Sequence, residues 1–252
     1  FSLREMIEMK NIKLTIEYDG TEYAGWQIQD NAITIQQVVQ EALEQLTGEQ
    51  IKLTGSGRTD SGVHAKGQVA SFHTKSTIPS VRFSYALNTV LPPDIKVISS
   101  EKVSRDFHAR FSAKEKSYKY CMLVNTHGSA IGHRYYVHLR PPIDIDAMNR
   151  ACQAFIGTFD FAAMQATGSA VESTIRTIFE SKLTLDGDNL YYSVKGNGFL
   201  YNMVRIMVGT LIEVGKGKIN ADDIPKILSS RARERAGFTA PAKGLFLDKV
   251  YY

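Results

Sequence analysis

The chain has 252 residues, 43% of them hydrophobic, and a formal net charge of +4, which is typical of a globular protein with an ordinary core. No apolar run approaches the roughly eighteen residues of a membrane span, and the first residues lack the basic-then-apolar order of a signal peptide. Cys121 and Cys152 lie far apart in apolar patterns, so we expect two buried thiols in a cytoplasmic protein. The positive charge favours a polyanionic partner only weakly.

The first half of the chain has the predicted order strand, helix, strand, strand, helix, strand. Thr34 begins a capping-box pattern and Gly48 follows the last apolar position of helical spacing, so a helix lies between them. Pro92 and Pro93 end the second helix. The predicted segments are strands at 12–18, 51–54, 68–73 and 95–103 and helices at 34–48 and 79–90.

The second half repeats this order. Asp144 is a helix cap and Gly157 a helix stop, and the turn Asp186-Gly-Asp188 joins two strands. An extra helix precedes the final strand. The predicted segments are strands at 114–124, 174–185, 189–195 and 245–251 and helices at 144–156, 199–214 and 221–229.

This repeated order predicts an α+β protein made of two ferredoxin-like, split β-α-β halves, each with an antiparallel sheet backed by helices. We expect an N-terminal extension at 1–11, one half at 12–110 and the other at 111–252. No linker between them is low in complexity, so the halves are expected to pack around a central cleft.

The stretch Gly55–Gly67 is the first candidate for a functional site. It contains four glycines, together with Arg58, Asp60 and His64, in one segment predicted to be irregular. The following residues, 68–73, alternate as a half-buried strand does, so Asp60 is mounted on a rigid element. Its carboxylate suits general-base or nucleophilic work, and an equally strong alternative is that it only stabilises a turn.

Known phosphate-binding motifs do not fit this stretch. Gly57 and Gly62 have Walker A spacing, but Val63 follows where the lysine would stand, and a dinucleotide fingerprint would need glycine at Asp60. The loop therefore places a negative charge where nucleotide sites present backbone amides, which argues against nucleotide phosphate as its ligand.

Arg205 is the only charged residue between Phe199 and Glu213. An unpaired arginine in a core would cost several kcal/mol, so the pattern implies a nearby carboxylate or phosphate. Two alternatives stay open: the side chain extends to the edge of the helix, or Asn197-Gly198 offers backbone amides to a phosphate.

The stretch Arg105–Tyr120 interleaves basic and aromatic residues, as surfaces that bind RNA do. An alternative is that its lysines form the solvent-exposed face of an ordinary amphipathic strand. Tyr118 is the residue of interest, because a phenol can both stack on a base and transfer a proton. Arg110 and Lys114, from the same stretch, are further candidates for contacts with RNA.

The histidines and cysteines predict no metal site, since neither a helical histidine pair nor zinc-finger spacing occurs. We expect His64 to be a hydrogen-bonding residue of the loop. The Gly-x-Ser-x-Gly motif of common hydrolases is also absent.

Together these motifs resemble the tRNA pseudouridine synthases of the TruA family over residues 12–252. The central match is Gly57-Arg-Thr-Asp-Ser-Gly-Val-His-Ala65, which resembles the family's catalytic signature. One departure is Asn202, where many members have histidine. The other matching segments, in family order, are Tyr18-Asp-Gly20, Tyr23-Ala-Gly-Trp-Gln27, Asn88 with Leu91-Pro92, Phe107–Phe111, Tyr118, Phe199–Arg205 and Ala240–Leu247.

The resemblance implies a pseudouridine synthase fold and an enzyme that detaches uracil, rotates it and rejoins it through carbon without metal or cofactor. Asp60 would be the nucleophile, attacking either sugar or base. Arg205 would be its counter-charge, and Tyr118 would stack on the base and transfer a proton. The expected substrate contacts are Arg58, Thr59, Tyr118 and Leu245, with Arg110 and Lys114.

The resemblance also implies a homodimer that acts on the anticodon stem-loop of tRNA, at tRNA positions 38–40.

Two other functions compete with this interpretation. A non-catalytic RNA-binding module would explain the basic-aromatic stretch, but it has no need of an acid beside a lone arginine. A nucleoside hydrolase would also use a carboxylate, but it usually needs a metal-binding aspartate cluster, which the sequence lacks.

Overall fold

A computed structural model describes residues 8–168 and 171–252. These residues form two compact units, one that ends at Ala113 and takes in Tyr252, and one from Lys114 to Tyr251. No helix in these ranges is long and apolar enough to cross a membrane. Of the expected extension at 1–11, residues 1–7 lie outside the described ranges and Lys10 is already part of the first strand.

The first unit contains an antiparallel sheet and two helices. β1 lies between β4 and β3, and β2 pairs with β3, which gives the order β4-β1-β3-β2. This is the arrangement of a ferredoxin-like split β-α-β unit, so the topology predicted for the first half is confirmed. The elements are β1 (Lys10–Tyr18), α1 (Ile35–Thr47), β2 (Thr54–Gly55), β3 (His64–Thr74), α2 (Phe83–Val90) and β4 (Ile95–Val103).

The prediction that β3 is half-buried is wrong, because residues 67–72 are all buried. The face that carries Ser71 is covered by the segment that follows β4. The Ser71 hydroxyl accepts a hydrogen bond from the amide of Ala109 at 3.2 Å, and the phenol of Tyr252 donates to the Ala109 carbonyl at 2.8 Å. A polar side chain on this strand can therefore lie in the interior.

α1 begins and ends as predicted. The Thr34 hydroxyl accepts from the amide of Gln37, and Gly48 ends the helix with a φ of 69°. Beyond it, residues 51–53 do not join the sheet, so the strand predicted at 51–54 is reduced to β2. Their backbone groups bond to side chains of α1 instead, namely Gln36, Gln40 and Glu44.

α2 begins later than predicted, because Pro79 precedes a 3₁₀ turn at Ser80–Arg82 and the α-helix starts only at Phe83. Near its end, the amide of Asn88 donates to the carbonyl of Val97 at 2.9 Å and accepts from the Val97 N–H at 2.8 Å. These paired bonds fasten α2 to β4.

The second unit repeats this strand order with additions. β5, β8, β9 and β10 lie in the order β10-β5-β9-β8, again fourth, first, third, second, and β7 extends the sheet beyond β8. β6 and β7 were not predicted because three or four residues show no readable alternation. The strands are β5 (Glu115–Val124), β6 (Val137–Leu139), β7 (Gly157–Asp160), β8 (Ile175–Asp186), β9 (Asn189–Gly196) and β10 (Leu245–Tyr251).

Three helices accompany this sheet: α3 (Ile145–Gln153), α4 (Met203–Gly215) and α5 (Ile224–Ser230). Asp144 caps α3 as predicted, accepting from the Ala147 amide at 2.8 Å. Gly157 does not stop α3, which ends before it, but begins β7. α4 starts four residues after the predicted Phe199, because Asn202 has a left-handed backbone that a helix cannot continue through. A 3₁₀ turn at 221–223 replaces the start predicted for α5.

The two cysteines do not form a disulfide with each other. Cys152 on α3 is buried as predicted, and burial raises the pKa of its thiol. Cys121 is only half-buried, so that prediction is wrong. It lies on β5 between the buried Tyr120 and Met122, and alternation along a strand turns its side chain to the other face.

Candidate active site

Asp60 lies in the loop between β2 and β3. Since β3 already begins at His64, the last four residues of the stretch predicted to be irregular belong to a strand. The amide of Val63 donates to the backbone carbonyl of Asp60 at 3.1 Å, and Gly62 takes a left-handed φ of 75°. The turn around Asp60 is therefore closed through the backbone.

Side chains next to one another in this loop differ in burial. Arg58 is exposed, Thr59 is 6% exposed and Asp60 is half-buried. The Thr59 hydroxyl lies 2.7 Å from the phenol of Tyr18 on β1. Burial raises the pKa of Tyr18 well above its ordinary value, so the phenol keeps its proton and this contact persists at neutral pH. Thr59 thus anchors the loop from inside.

Gln68 on β3 anchors the start of the loop. Its side chain has no exposed surface. Its amide oxygen accepts from the hydroxyl of Ser56 at 2.6 Å, and its amide nitrogen donates to the carbonyl of Gly57 at 3.0 Å. Sequence reasoning missed this residue; the available signal was a polar side chain within an apolar strand.

The segment that follows β1 packs against the other side of the loop. The amide of Trp26 donates to the Thr59 carbonyl at 3.0 Å, and the amide of Gly62 donates to the Tyr23 carbonyl at 3.3 Å. Gly25 has a φ of 90°, and a Cβ there would lie 2.5 Å from the Thr59 carbonyl oxygen. This contact needs glycine both for its backbone conformation and for its closeness.

One glycine of the loop, Gly55, leaves room for a neighbouring side chain. A Cβ on Gly55 would overlap the indole of Trp26, which is itself 2% exposed. A Cβ on Gly20, outside the loop, would overlap the carbonyl of Val63. Glycine is therefore needed both in the loop, at Gly55, and in the segment that packs against it, at Gly20 and Gly25.

His64 is a hydrogen-bonding residue of the loop, as predicted. It is 1% exposed, and its Nδ1 accepts from the amide of Gly20 at 3.0 Å. A carboxylate oxygen of Asp19 lies 3.1 Å from the same nitrogen. The ring of His64 therefore links the start of β3 to the residues that follow β1.

In the second unit, Arg205 lies in the first turn of α4 and is half-buried. Its Nε donates to the carbonyl of Ala240 at 2.7 Å, and its Nη1 donates to the Oδ1 of Asn202 at 2.8 Å. The Ala240 amide donates back to the Arg205 carbonyl at 3.0 Å. Within this unit, two guanidinium N–H groups are thus held by neutral acceptors, which fix the plane of the group.

The alternative phosphate site at Asn197-Gly198 is wrong. α4 begins five residues beyond Gly198, so the backbone amides of this pair are not at a helix N-terminus. Asn197 instead bonds to the backbone of Thr177 through both its amide N–H and its side-chain oxygen.

Tyr118 and Leu245 lie on adjacent strands of the second unit. Tyr118 on β5 is half-buried and meets Phe199 edge to face, with ring centroids 5.1 Å apart. Leu245 begins β10, is buried and pairs with Tyr120, the next residue on the same face of β5 as Tyr118. A Cβ on Gly244 would lie 2.7 Å from the Tyr120 ring, so glycine is needed there too.

The other predicted contacts with RNA, Arg110 and Lys114, are exposed. Arg110 precedes Phe111, whose ring stacks on His108 at 4.3 Å between centroids. On β5, the ammonium of Lys119 lies 3.9 Å from the centroid of the Tyr191 ring. Within the stretch, the guanidinium of Arg110 lies 5.6 Å from the centroid of the Phe111 ring, so basic and aromatic side chains make cation-π contacts here.

In the part of the chain that the structure describes, no three His, Cys, Asp or Glu side chains come together as ligands for a metal ion. The candidate reactive groups are the carboxylate of Asp60, the guanidinium of Arg205 and the phenol of Tyr118.

Comparison with known proteins identifies the family of this chain. A family model described as tRNA pseudouridine synthase matches residues 14–112 and 151–252, which include Asp60, Arg205 and Leu245. The proteins named tRNA pseudouridine synthase A from Acetivibrio thermocellus and Ruminiclostridium cellulolyticum are each 52% identical to this chain, over 97% of it and 100% of their own length. That from Thermoanaerobacter sp. is 48% identical over 97% of this chain and 100% of its own length. The chain therefore belongs to the family of tRNA pseudouridine synthases, isomerases that convert uridine to pseudouridine.

Proposed function

We propose that Asp60 is the nucleophile of this isomerisation. The anchoring of its loop is the observation that supports this most. Thr59 is held by Tyr18 and Gly57 by Gln68, while Asp60 stays half-exposed at a turn closed by its own backbone carbonyl. A reacting group gains most when its position is fixed before the substrate arrives. The alternative that Asp60 serves only to stabilise the turn is less well supported, since the backbone already closes that turn.

The reaction needs few groups. The bond between the ribose and N1 of uracil breaks, the base rotates, and a new bond forms between the ribose and C5. The proton on C5 leaves, and N1 takes up a proton. No atom is gained or lost overall. Asp60 would form a covalent bond with the sugar or the base during the exchange. On the sugar, it would be displaced when C5 forms the new bond; on the base, it would leave in a separate step after that bond has formed.

Arg205 is the proposed counter-charge of Asp60. The bonds from Arg205 to Asn202 and Ala240 orient the guanidinium fork. At 4 Å and an effective dielectric constant of 20, such a pair is worth roughly 4 kcal/mol before desolvation. Arg205→Lys should preserve the fold and lower turnover, because lysine cannot form a two-pronged pair with a carboxylate. Unchanged kinetics would remove Arg205 from the site.

Tyr118 is proposed to stack on the extruded uracil and to take part in the final proton transfer, since a base must leave its stack to be modified. Its edge-to-face contact with Phe199 fixes the ring, and Leu245 on the adjacent strand would supply an apolar wall. Tyr118→Phe should retain binding of tRNA and lose turnover. Weak binding of tRNA by that variant would contradict this role.

Contacts with RNA are proposed for the exposed Arg58, Arg110 and Lys114. Guanidinium and ammonium groups in solvent suit phosphate, and RNA affinity through them should fall as salt rises. Arg58, two residues before Asp60, could hold the backbone at the flipped nucleotide. The buried Thr59 would act indirectly, by fixing the loop.

The substrate proposed for this enzyme is the anticodon stem-loop of tRNA, with a homodimer in the cytoplasm as the working form. Large apolar side chains exposed on the first unit, Val81, Tyr85 and Ile98, support an interface between copies. Light scattering should then give twice the mass of one chain. A single-chain mass at micromolar concentration would contradict the dimer.

Digestion of tRNA after incubation with the enzyme tests the proposed function. We expect pseudouridine on chromatography, confined to the oligonucleotide that spans the anticodon stem-loop. Free uracil would indicate hydrolysis, bound but unmodified tRNA would indicate a binding module, and pseudouridine in another arm would refute the proposed substrate region.

A further inference from the structure

Asn202, just before α4, has an unusual backbone. Its φ and ψ of 58° and 8° are left-handed, a conformation that, among the non-glycine residues of the described ranges, only Arg231 shares. Such a conformation costs most residues about 1–2 kcal/mol, and Asn, Asp and His tolerate it best. Position 202 is therefore restricted in residue type by its backbone alone.

The side chain of Asn202 does not serve the helix that it precedes. An asparagine at this place usually accepts a hydrogen bond from an amide of the first turn, and Asn202 makes no such bond. Its Oδ1 accepts instead from Nη1 of Arg205, at 2.8 Å. The left-handed backbone thus directs the amide to the guanidinium rather than to the helix end.

Arg205 is held on a second side as well. Its Nε donates to Ala240 at 2.7 Å, and the next carbonyl, that of Pro241, accepts from the buried phenol of Tyr120 at 2.7 Å. Ala240 is thus part of a segment fixed to β5. With one acceptor fixed by the sheet and the other by the start of α4, the guanidinium has one orientation.

We infer that Asn202 is a positioning residue for Arg205, and that position 202 requires a neutral acceptor on a residue that tolerates a left-handed backbone. This inference rests on the proposed role of Arg205. A neutral acceptor leaves the full positive charge of Arg205 for Asp60, whereas an aspartate would compete with Asp60 for it. Histidine meets both conditions with a neutral ring nitrogen.

Three substitutions at position 202, all compatible with its left-handed backbone, test separately the need for a hydrogen-bond acceptor and for a neutral side chain. Asn202→Gly keeps the left-handed backbone and removes the acceptor, Asn202→Asp keeps both but adds charge, and Asn202→His keeps both without charge. The matched control is Asn220→Gly, which removes an asparagine that caps a turn elsewhere in the same unit. Melting temperatures and single-turnover rates on a tRNA transcript are measured for all four variants.

The expected order of single-turnover rates is wild type and Asn202→His within about threefold, Asn202→Gly about tenfold lower, and Asn202→Asp about a hundredfold lower. The Kd for tRNA should stay within about twofold, and Asn220→Gly should match wild type. A mere helix cap would reverse the order, since aspartate caps as well as asparagine and histidine does not.

Wild-type rates in Asn202→Gly, equal rates in Asn202→Asp and Asn202→His, or a loss confined to Kd would each overturn the inference. The Arg205→Ala variant distinguishes a failure of the inference about Asn202 from a failure of the proposed role of Arg205. An active Arg205→Ala variant would refute the role of Arg205 itself. An inactive Arg205→Ala beside a fully active Asn202→Gly would refute only the role of Asn202.

Discussion

Replacing Gly25 with alanine tests whether the segment after β1 sets the position of Asp60. Gly25 has a φ of 90°, and the new methyl carbon would lie 2.5 Å from the carbonyl oxygen of Thr59 and 3.1 Å from the carbonyl carbon of Asp60. Both neighbours are backbone atoms, so no side-chain rotation can relieve the contact.

The size of the displacement follows from these distances. An ordinary contact between carbon and oxygen is about 3.3 Å, so Thr59 and Asp60 must retreat by about 0.8 Å. A misplacement of about 1 Å can lower a catalytic rate by about 100-fold. Left-handed strain adds roughly 1–2 kcal/mol of lost stability. We therefore expect Gly25→Ala to fold, to melt at a lower temperature, and to turn over about 100-fold more slowly.

Gly48→Ala is the matched control for this prediction. Gly48 has a φ of 69° in the same unit, and a Cβ there would meet no atom within 4 Å. It should lose similar stability and keep wild-type turnover. Pseudouridine formation is measured in single turnover, well below both melting temperatures. Equal rates for Gly25→Ala and wild type would refute the claim that this contact positions Asp60.

Two further predictions concern stability. Tyr18→Phe leaves the buried hydroxyl of Thr59 without its partner, so urea unfolding should show a loss of about 1–3 kcal/mol, and no loss would show that the contact is not stabilising. In the second unit, burial acts to raise the pKa of Asp160, but hydrogen bonds from Thr174 and a backbone amide, together with Arg231, outweigh it and hold this pKa below its ordinary value. The carboxylate therefore stabilises the fold fully above about pH 4 and loses this effect as the pH falls through its lowered pKa. Wild type should exceed Asp160→Asn in urea midpoint at pH 7, by a margin that shrinks below pH 4; a margin independent of pH would contradict this.

The fold was predictable to the level of topology because the long elements carry clear patterns. The alternation in β1 and the caps Thr34 and Asp144 placed their elements within a few residues. Short strands such as β6 have too few residues for a pattern. The start of α4 was placed too early because the left-handed backbone of Asn202 has no signature in hydrophobic spacing.

The charged candidate residues could be picked out from the sequence, but the residues that hold the loop of Asp60 in place could not. Asp60 is the one carboxylate of a glycine-rich stretch, and Arg205 is the one charged residue of an apolar stretch. A charge in such a setting is costly unless it has a partner or a function. Gln68 and Gly25 did not stand out, since their roles depend on contacts between segments distant in sequence. The room that Gly55 leaves for Trp26 depends on such a contact too.

The most direct test of the central claim is a single-turnover measurement of pseudouridine in tRNA with wild type, Asp60→Asn and Asp30→Asn. Asp30 is an exposed carboxylate of the same unit and serves as the matched control. Wild type and Asp30→Asn should convert the target uridine at equal rates, and Asp60→Asn should bind tRNA but form no product. Conversion by Asp60→Asn at a rate near that of wild type would contradict the assignment of Asp60 as the nucleophile.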